Sequence, residues 1–109
     1  MRLAVRVALV ILCLSASAYA QDTTGTILGT ITDSSGGVLP GVTVTVKRVD
    51  TGQSRTVVTD DGGRYRVPLL SPGAYEVTIQ LSGFQTVVRS GVTLTVGQEA
   101  PLNMQMSEI

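Results

Sequence analysis

Three carboxylates stand where oxygen ligands could gather. Asp60-Asp61-Gly62-Gly63 puts two acids on a glycine-rich turn, and Asp33 would join them if two turns met at one end of the fold. Calcium is the cation such a set would suit. The spacing is not that of an EF-hand, however, and the same residues suit a turn in which Asp60 accepts hydrogen bonds from nearby backbone N–H groups. The capping role is preferred, so no metal ligand, cofactor-binding residue or catalytic residue is assigned. Lys47 is the only lysine, and its alternation with valines points it to solvent, which argues against a Ser–Lys nucleophile. An internal amide between Lys47 and Asn103 would need both in a dry core beside a carboxylate, and both fall on the polar phase of their segments. The chain has no histidine, so nucleophilic catalysis of the Ser–His or Cys–His type lacks its base.

The elements that would carry these residues begin after a separate leader. Arg2 and Arg6, the uncharged apolar run from Val7 to Leu14, and Ala18-Tyr19-Ala20 together read as a secretory signal over residues 1–20. The apolar run is much shorter than the ~20 residues of a membrane-spanning helix, and no later segment approaches that length, so no span is expected in the mature chain. Cys13, the only cysteine, lies inside this run behind Leu12, where a lipid-anchored signal would want a small residue. Cleavage after Ala20 would leave 89 residues without a cysteine, one domain held by packing alone. That remainder carries six basic against eight acidic residues, a net charge of −2, with no basic cluster to meet phosphates. Nucleic acid is not an expected partner. The chain is expected to be exported, as a periplasmic, outer-membrane-associated or extracellular protein.

From Thr26 onward, short β-branched runs alternate between apolar and polar residues and are separated by glycine-rich turns; no helical period persists. Ile27, Gly29 and Ile31 share one face of the first run. Val42, Val44 and Val46 share one face of the second, opposite Thr43, Thr45 and Lys47. A third strand is predicted over Arg55 to Thr59. In the fourth, Tyr65, Val67 and Leu69 align; in the fifth, Ala74 to Leu81, Tyr75, Val77, Ile79 and Leu81 align. Phe84 to Arg89, Val92 to Val96 with Val92, Leu94 and Val96 aligned, and Leu102 to Met106 with Leu102, Met104 and Met106 aligned complete the set. Seven to eight strands with one apolar face each predict two sheets packed face to face, an antiparallel all-β sandwich. The organisation is a signal peptide (1–20), a short linker (21–25), one β-sandwich domain (26–106) and a C-terminal tail (107–109).

The ordered segments Gly29-x-Ile31-x-Asp33, Leu39-Pro40-Gly41-Val42-x-Val44, Thr59-Asp60-x-x-Gly63-x-Tyr65, Leu70-x-Pro72-Gly73-x-Tyr75 and Gly83-Phe84 resemble the carboxypeptidase regulatory-like domain. The resemblance covers about residues 25 to 106 and implies a transthyretin-like (prealbumin-like) sandwich, classed with carbohydrate-binding-like folds. It implies a non-catalytic accessory domain, a spacer or protein-interaction module. Such domains sit beside catalytic or membrane modules, including the N-terminus of Oar-like TonB-dependent receptors. The sequence holds no plug or barrel, so a free-standing domain and part of a longer receptor gene both stay open. A zinc peptidase, which the family name invites, would need imidazole ligands that this chain lacks. The fold class also invites a carbohydrate partner, and the alternative reading is a carbohydrate-binding module of the cell envelope. A stacking platform would have to come from Tyr65, Tyr75 or Phe84, all within the motif and in register with core residues. An envelope protein or receptor module is a candidate partner, met through open strand edges; the polar face of Thr43, Thr45 and Lys47, with Arg64 and Arg66, offers polar contacts but reads first as a solvated surface.

Overall fold

Alternating side chains with period two leave each strand one greasy face, and the chain resolves this by stacking two four-stranded sheets. The computed structural model describes residues 23–109, so the leader expected over residues 1–20 lies outside the described residues. The strands are β1 (Gly25–Asp33), β2 (Thr43–Arg48), β3 (Ser54–Val58), β4 (Arg64–Leu70), β5 (Gly73–Gln80), β6 (Val87–Leu94), β7 (Glu99–Pro101) and β8 (Met104–Met106). One sheet runs β4-β1-β7, with β8 continuing beside β1; the other runs β3-β2-β5-β6. The chain is therefore an all-β, eight-stranded sandwich of transthyretin-like type. Most ladders are antiparallel, as expected, but β7 and β8 both pair with β1 in parallel.

The core lies between the sheets and is the one the alternation anticipates for β1, β2 and β5: Ile27, Ile31, Val42, Val44, Val77 and Ile79 are wholly inaccessible to water. Each such residue contributes about 1.5–3 kcal/mol by burial. Tyr65, Val67, Leu94, Met104 and Met106 close it from the remaining strands.

Four expectations fail, each because a break in backbone geometry resets or ends the alternation. In β4, Leu69 is 70% exposed and Leu70 takes the core position. Ile27 faces Val67 and Gly25 faces Leu70, so β4 carries one extra residue at Pro68-Leu69. That bulge shifts the phase of everything after it, and Leu69 adopts a left-handed φ of 58°. The strands expected over Phe84–Arg89 and Val92–Val96 form one strand, β6, with an extra residue between Arg89 and Val92, where Gly91 supplies a φ of 73°. Val96 is exposed, since the strand ends at Leu94 and the Gln98 side-chain oxygen then accepts bonds from the Thr95 N–H and hydroxyl, closing a turn. The single strand expected over Leu102–Met106 is split: β7 ends before Leu102 and β8 begins after Asn103.

Candidate functional site

The segments singled out in the sequence converge on fastenings of the sandwich. At the break between β7 and β8, the Leu102 N–H donates to the Leu28 carbonyl at 2.7 Å, and the Asn103 Oδ1 accepts from the Thr30 N–H at 2.9 Å, replacing the missing ladder bond. The Tyr65 hydroxyl donates to the Leu102 carbonyl at 2.6 Å. Gly29 is required here because a Cβ would lie 2.0 Å from the Leu102 oxygen. Burial pushes the Tyr65 phenol up to about 12. The Tyr75 hydroxyl donates to the Ser71 carbonyl, tying the loop before β5 to the strand.

Thr59 does at the other turn what sequence alone did not reveal. Its buried hydroxyl donates to the Leu39 carbonyl (2.7 Å) and accepts from the Val42 N–H (2.9 Å). This pins the Leu39-Pro40-Gly41 turn to the end of β3. The neighbouring carboxylate, Asp60, accepts from the N–H groups of Gly62 (2.9 Å) and Arg64 (3.0 Å). These backbone bonds, that from Arg64 foremost, hold the Asp60 carboxyl below its ordinary value. Asp33 is engaged in the same way, by the Ser35 hydroxyl (2.6 Å) and the N–H groups of Ser35 and Gly37 (both 2.9 Å). The Ser35 hydroxyl is the main cause of its lowered pKa. Among the described residues no three carboxylates gather around one point, so the structure uses Asp33 and Asp60 as turn caps. Asp61 stays exposed on the turn beside Asp60.

The other candidates separate. Lys47, on β2, pairs with Ser54 and Glu76 in the second sheet, whereas Asn103 belongs to the first, so the two do not meet. Thr43, Thr45 and Lys47 lie on the outside of one sheet, and Arg64 and Arg66 on the other; they do not form one polar face. Tyr65 and Tyr75 are buried and Phe84 packs against the core, which leaves no ring of the three as an open platform for a sugar.

The edges formed by β4, β6 and the β7–β8 pair are guarded rather than open. β4 carries Pro68, which has no N–H, and the bulge at Leu69; β6 carries the Gly91 bulge beside Arg89; β7 and β8 are interrupted. Such devices blunt strand addition. The tail beyond Met106 is engaged too: the Gln85 N–H donates to the Ser107 carbonyl (2.9 Å) and the Ile109 N–H to the Gly83 carbonyl (3.1 Å).

Two of the concavities among the described residues are lined by arginines. A groove of about 660 Å³ crosses the outer face of the first sheet between Leu28, Pro101 and Val58. Its arginines are each matched by an acid, Arg64 with Asp60 at 3.9 Å and Arg66 with Glu99 at 3.6 Å. A smaller pocket of about 330 Å³ lies at the mouth of the sandwich, between the end of β2, the start of β3 and the β4–β5 turn, and Arg48 and Arg55 line it.

An eight-stranded transthyretin-like sandwich whose loop carboxylates Asp33 and Asp60 act as turn caps describes a small all-β domain. The chain belongs to the carboxypeptidase regulatory-like domain family, whose model matches residues 26–107. It is also similar to the TonB-dependent transporter Oar of Myxococcus xanthus, 33% identical over 91 residues. That match takes in 83% of this chain but 8% of the transporter. Among solved structures, the TIE protein of Bacillus anthracis superposes with a TM-score of 0.68 at 20% identity, over 80% of this chain and 17% of that one. Wild-type catechol 1,2-dioxygenase of Acinetobacter radioresistens superposes with a TM-score of 0.64 at 12% identity, over 82% of this chain and 53% of that one. At such identities the likeness is one of fold.

Proposed function

We propose that this chain is an exported, non-catalytic accessory domain, a spacer or protein-interaction module equivalent to the N-terminal extension of a TonB-dependent outer-membrane receptor. The observation that carries the reading is the similarity to a transporter of which the domain is a small part, over nearly the whole of the sandwich. The signal-like residues 1–20 support export into the periplasm or to the outer membrane. The lack of histidine, and carboxylates occupied as caps, support a role without catalysis. Among the described residues no helix is long and apolar enough to cross a membrane.

The coding sequence beyond Ile109, read together with the location of the chain in fractionated cells, tests this. A plug and barrel continuing in frame, with the chain in the outer-membrane fraction, is the expected result. A stop codon with no receptor downstream, and a chain recovered only from the culture medium, would overturn the receptor reading.

A further inference from the structure

Resting on the interaction-module reading, we propose that the pocket at the mouth of the sandwich is a docking site for an extended peptide segment of a partner protein, one that presents a carboxylate beside an apolar side chain. Three features meet there. Arg48 continues the inward-facing row of Val44 and Val46, and Arg55 stands directly across from Val46 on β3, so two cations occupy positions where alternation would place core residues. The floor is apolar, formed by the buried Leu70 and Tyr75.

The two guanidinium groups are held in place before any ligand arrives. Arg55 donates to the carbonyls of Pro68 (2.9 Å) and Leu69 (2.8 Å). Those acceptors are neutral, and among the described residues no carboxylate pairs with Arg55, so its charge is fixed in position but not cancelled. Arg48 is braced by Asp50 at 2.6 Å, and Gly73 makes room for it, since a Cβ there would come within 3.1 Å of the guanidinium. A pre-positioned guanidinium loses less freedom on meeting a carboxylate than a mobile one.

Leu69 supplies the apolar contact. It borders the same pocket, is 70% exposed and holds a left-handed φ of 58° that a leucine adopts only at a cost. Glycine would fit that backbone without strain, and an exposed leucine contributes little to the core. A strained residue that folding does not need is the signature of a position kept for a contact.

Fluorescence anisotropy on the purified chain tests the site with three labelled hexapeptides. One ends in leucine with a free C-terminal carboxylate, one is its C-terminal amide, and one is that amide with an internal aspartate next to the leucine. Saturable binding of the free-acid peptide or of the aspartate peptide, with none of the plain amide, is expected. The free acid alone would identify a chain terminus as the source of the carboxylate, and the aspartate peptide alone a side chain. Leu69→Gly should raise the melting temperature while weakening that binding, and Arg48→Gln should weaken it about tenfold, the effect of losing one charge-assisted hydrogen bond. Arg55→Gln also removes the brace on the bulge and is interpreted only if it melts cooperatively. Equal binding of all three peptides, or none, would overturn the proposal. So would Leu69→Gly that stabilises the fold and binds as tightly as the parent. None of these outcomes depends on the coding sequence beyond Ile109, so the docking site and the receptor reading can fail separately.

Discussion

No side chain fits at position 29, where a Cβ would sit 2.0 Å from the Leu102 carbonyl oxygen. Gly29→Ala must push β1 away from the β7–β8 break and disturb the Asn103 and Tyr65 bonds with it. It is expected to cost about 3 kcal/mol or more, measured as a fall in the urea midpoint at unchanged slope. Thr59→Val keeps the shape but strips the Leu39 carbonyl and the Val42 N–H of their partner, and about 1–3 kcal/mol should be lost. Tyr65 adds a pH signature. Its phenol titrates at about 12 in the fold against about 10 in the unfolded chain. The raised value means the stabilisation is complete below pH 10 and drains away as pH rises toward 12. Alkaline denaturation followed by circular dichroism should show this loss, and Tyr65→Phe should flatten it while lowering stability at neutral pH.

At the scale of the strands, alternation was a sound guide wherever a strand is unbroken. Val44 is fully buried on β2 and Thr45 points outward, so Val44→Asp should abolish cooperative unfolding while Thr45→Asp leaves it nearly unchanged. Where the guide fails, the cause is an inserted residue, as in β4 and at Gly91, or a strand that ends early, as at Leu94 and Pro101. Nothing in the run Tyr65-Arg66-Val67-Pro68-Leu69-Leu70 says that Leu70 rather than Leu69 goes inside; the bulge decides it, and Arg55 reaches across from β3 to donate to the Pro68 and Leu69 carbonyls there. The merged β6 has the same origin at Gly91, a glycine that reads equally well as a turn between two strands.

The whole molecule should tolerate mild acid and fail in strong acid. Asp33, Asp50 and Asp60 all have lowered pKa values, caused chiefly by the Ser35 hydroxyl, the Arg48 guanidinium and the Arg64 backbone N–H respectively. A depressed carboxylate pKa stabilises the fold above the unfolded value of about 4, and that contribution is lost as pH falls through the folded values. Thermal midpoints should therefore be flat between about pH 7 and 5 and drop below about pH 4. Asp60→Asn should remove part of that acid sensitivity.

The motif residues were legible because each answers to local chemistry: turns that need glycine, an aspartate that caps its own turn, valines that alternate with threonines. From these the all-β sandwich, its family and the buried faces of β1, β2 and β5 could be read directly. The two-arginine pocket could not. Arg48 follows Val44 and Val46 in phase, but that Arg55 stands across from Val46 is fixed only when β2 pairs with β3. Likewise, Tyr65 and Leu102 are 37 residues apart in sequence and become partners only when β7 docks beside β1. Local patterns decide which residues must hide from water, because period and turn geometry act over a few residues. Which polar groups then face one another depends on register and bulges, which only the packed sheets determine.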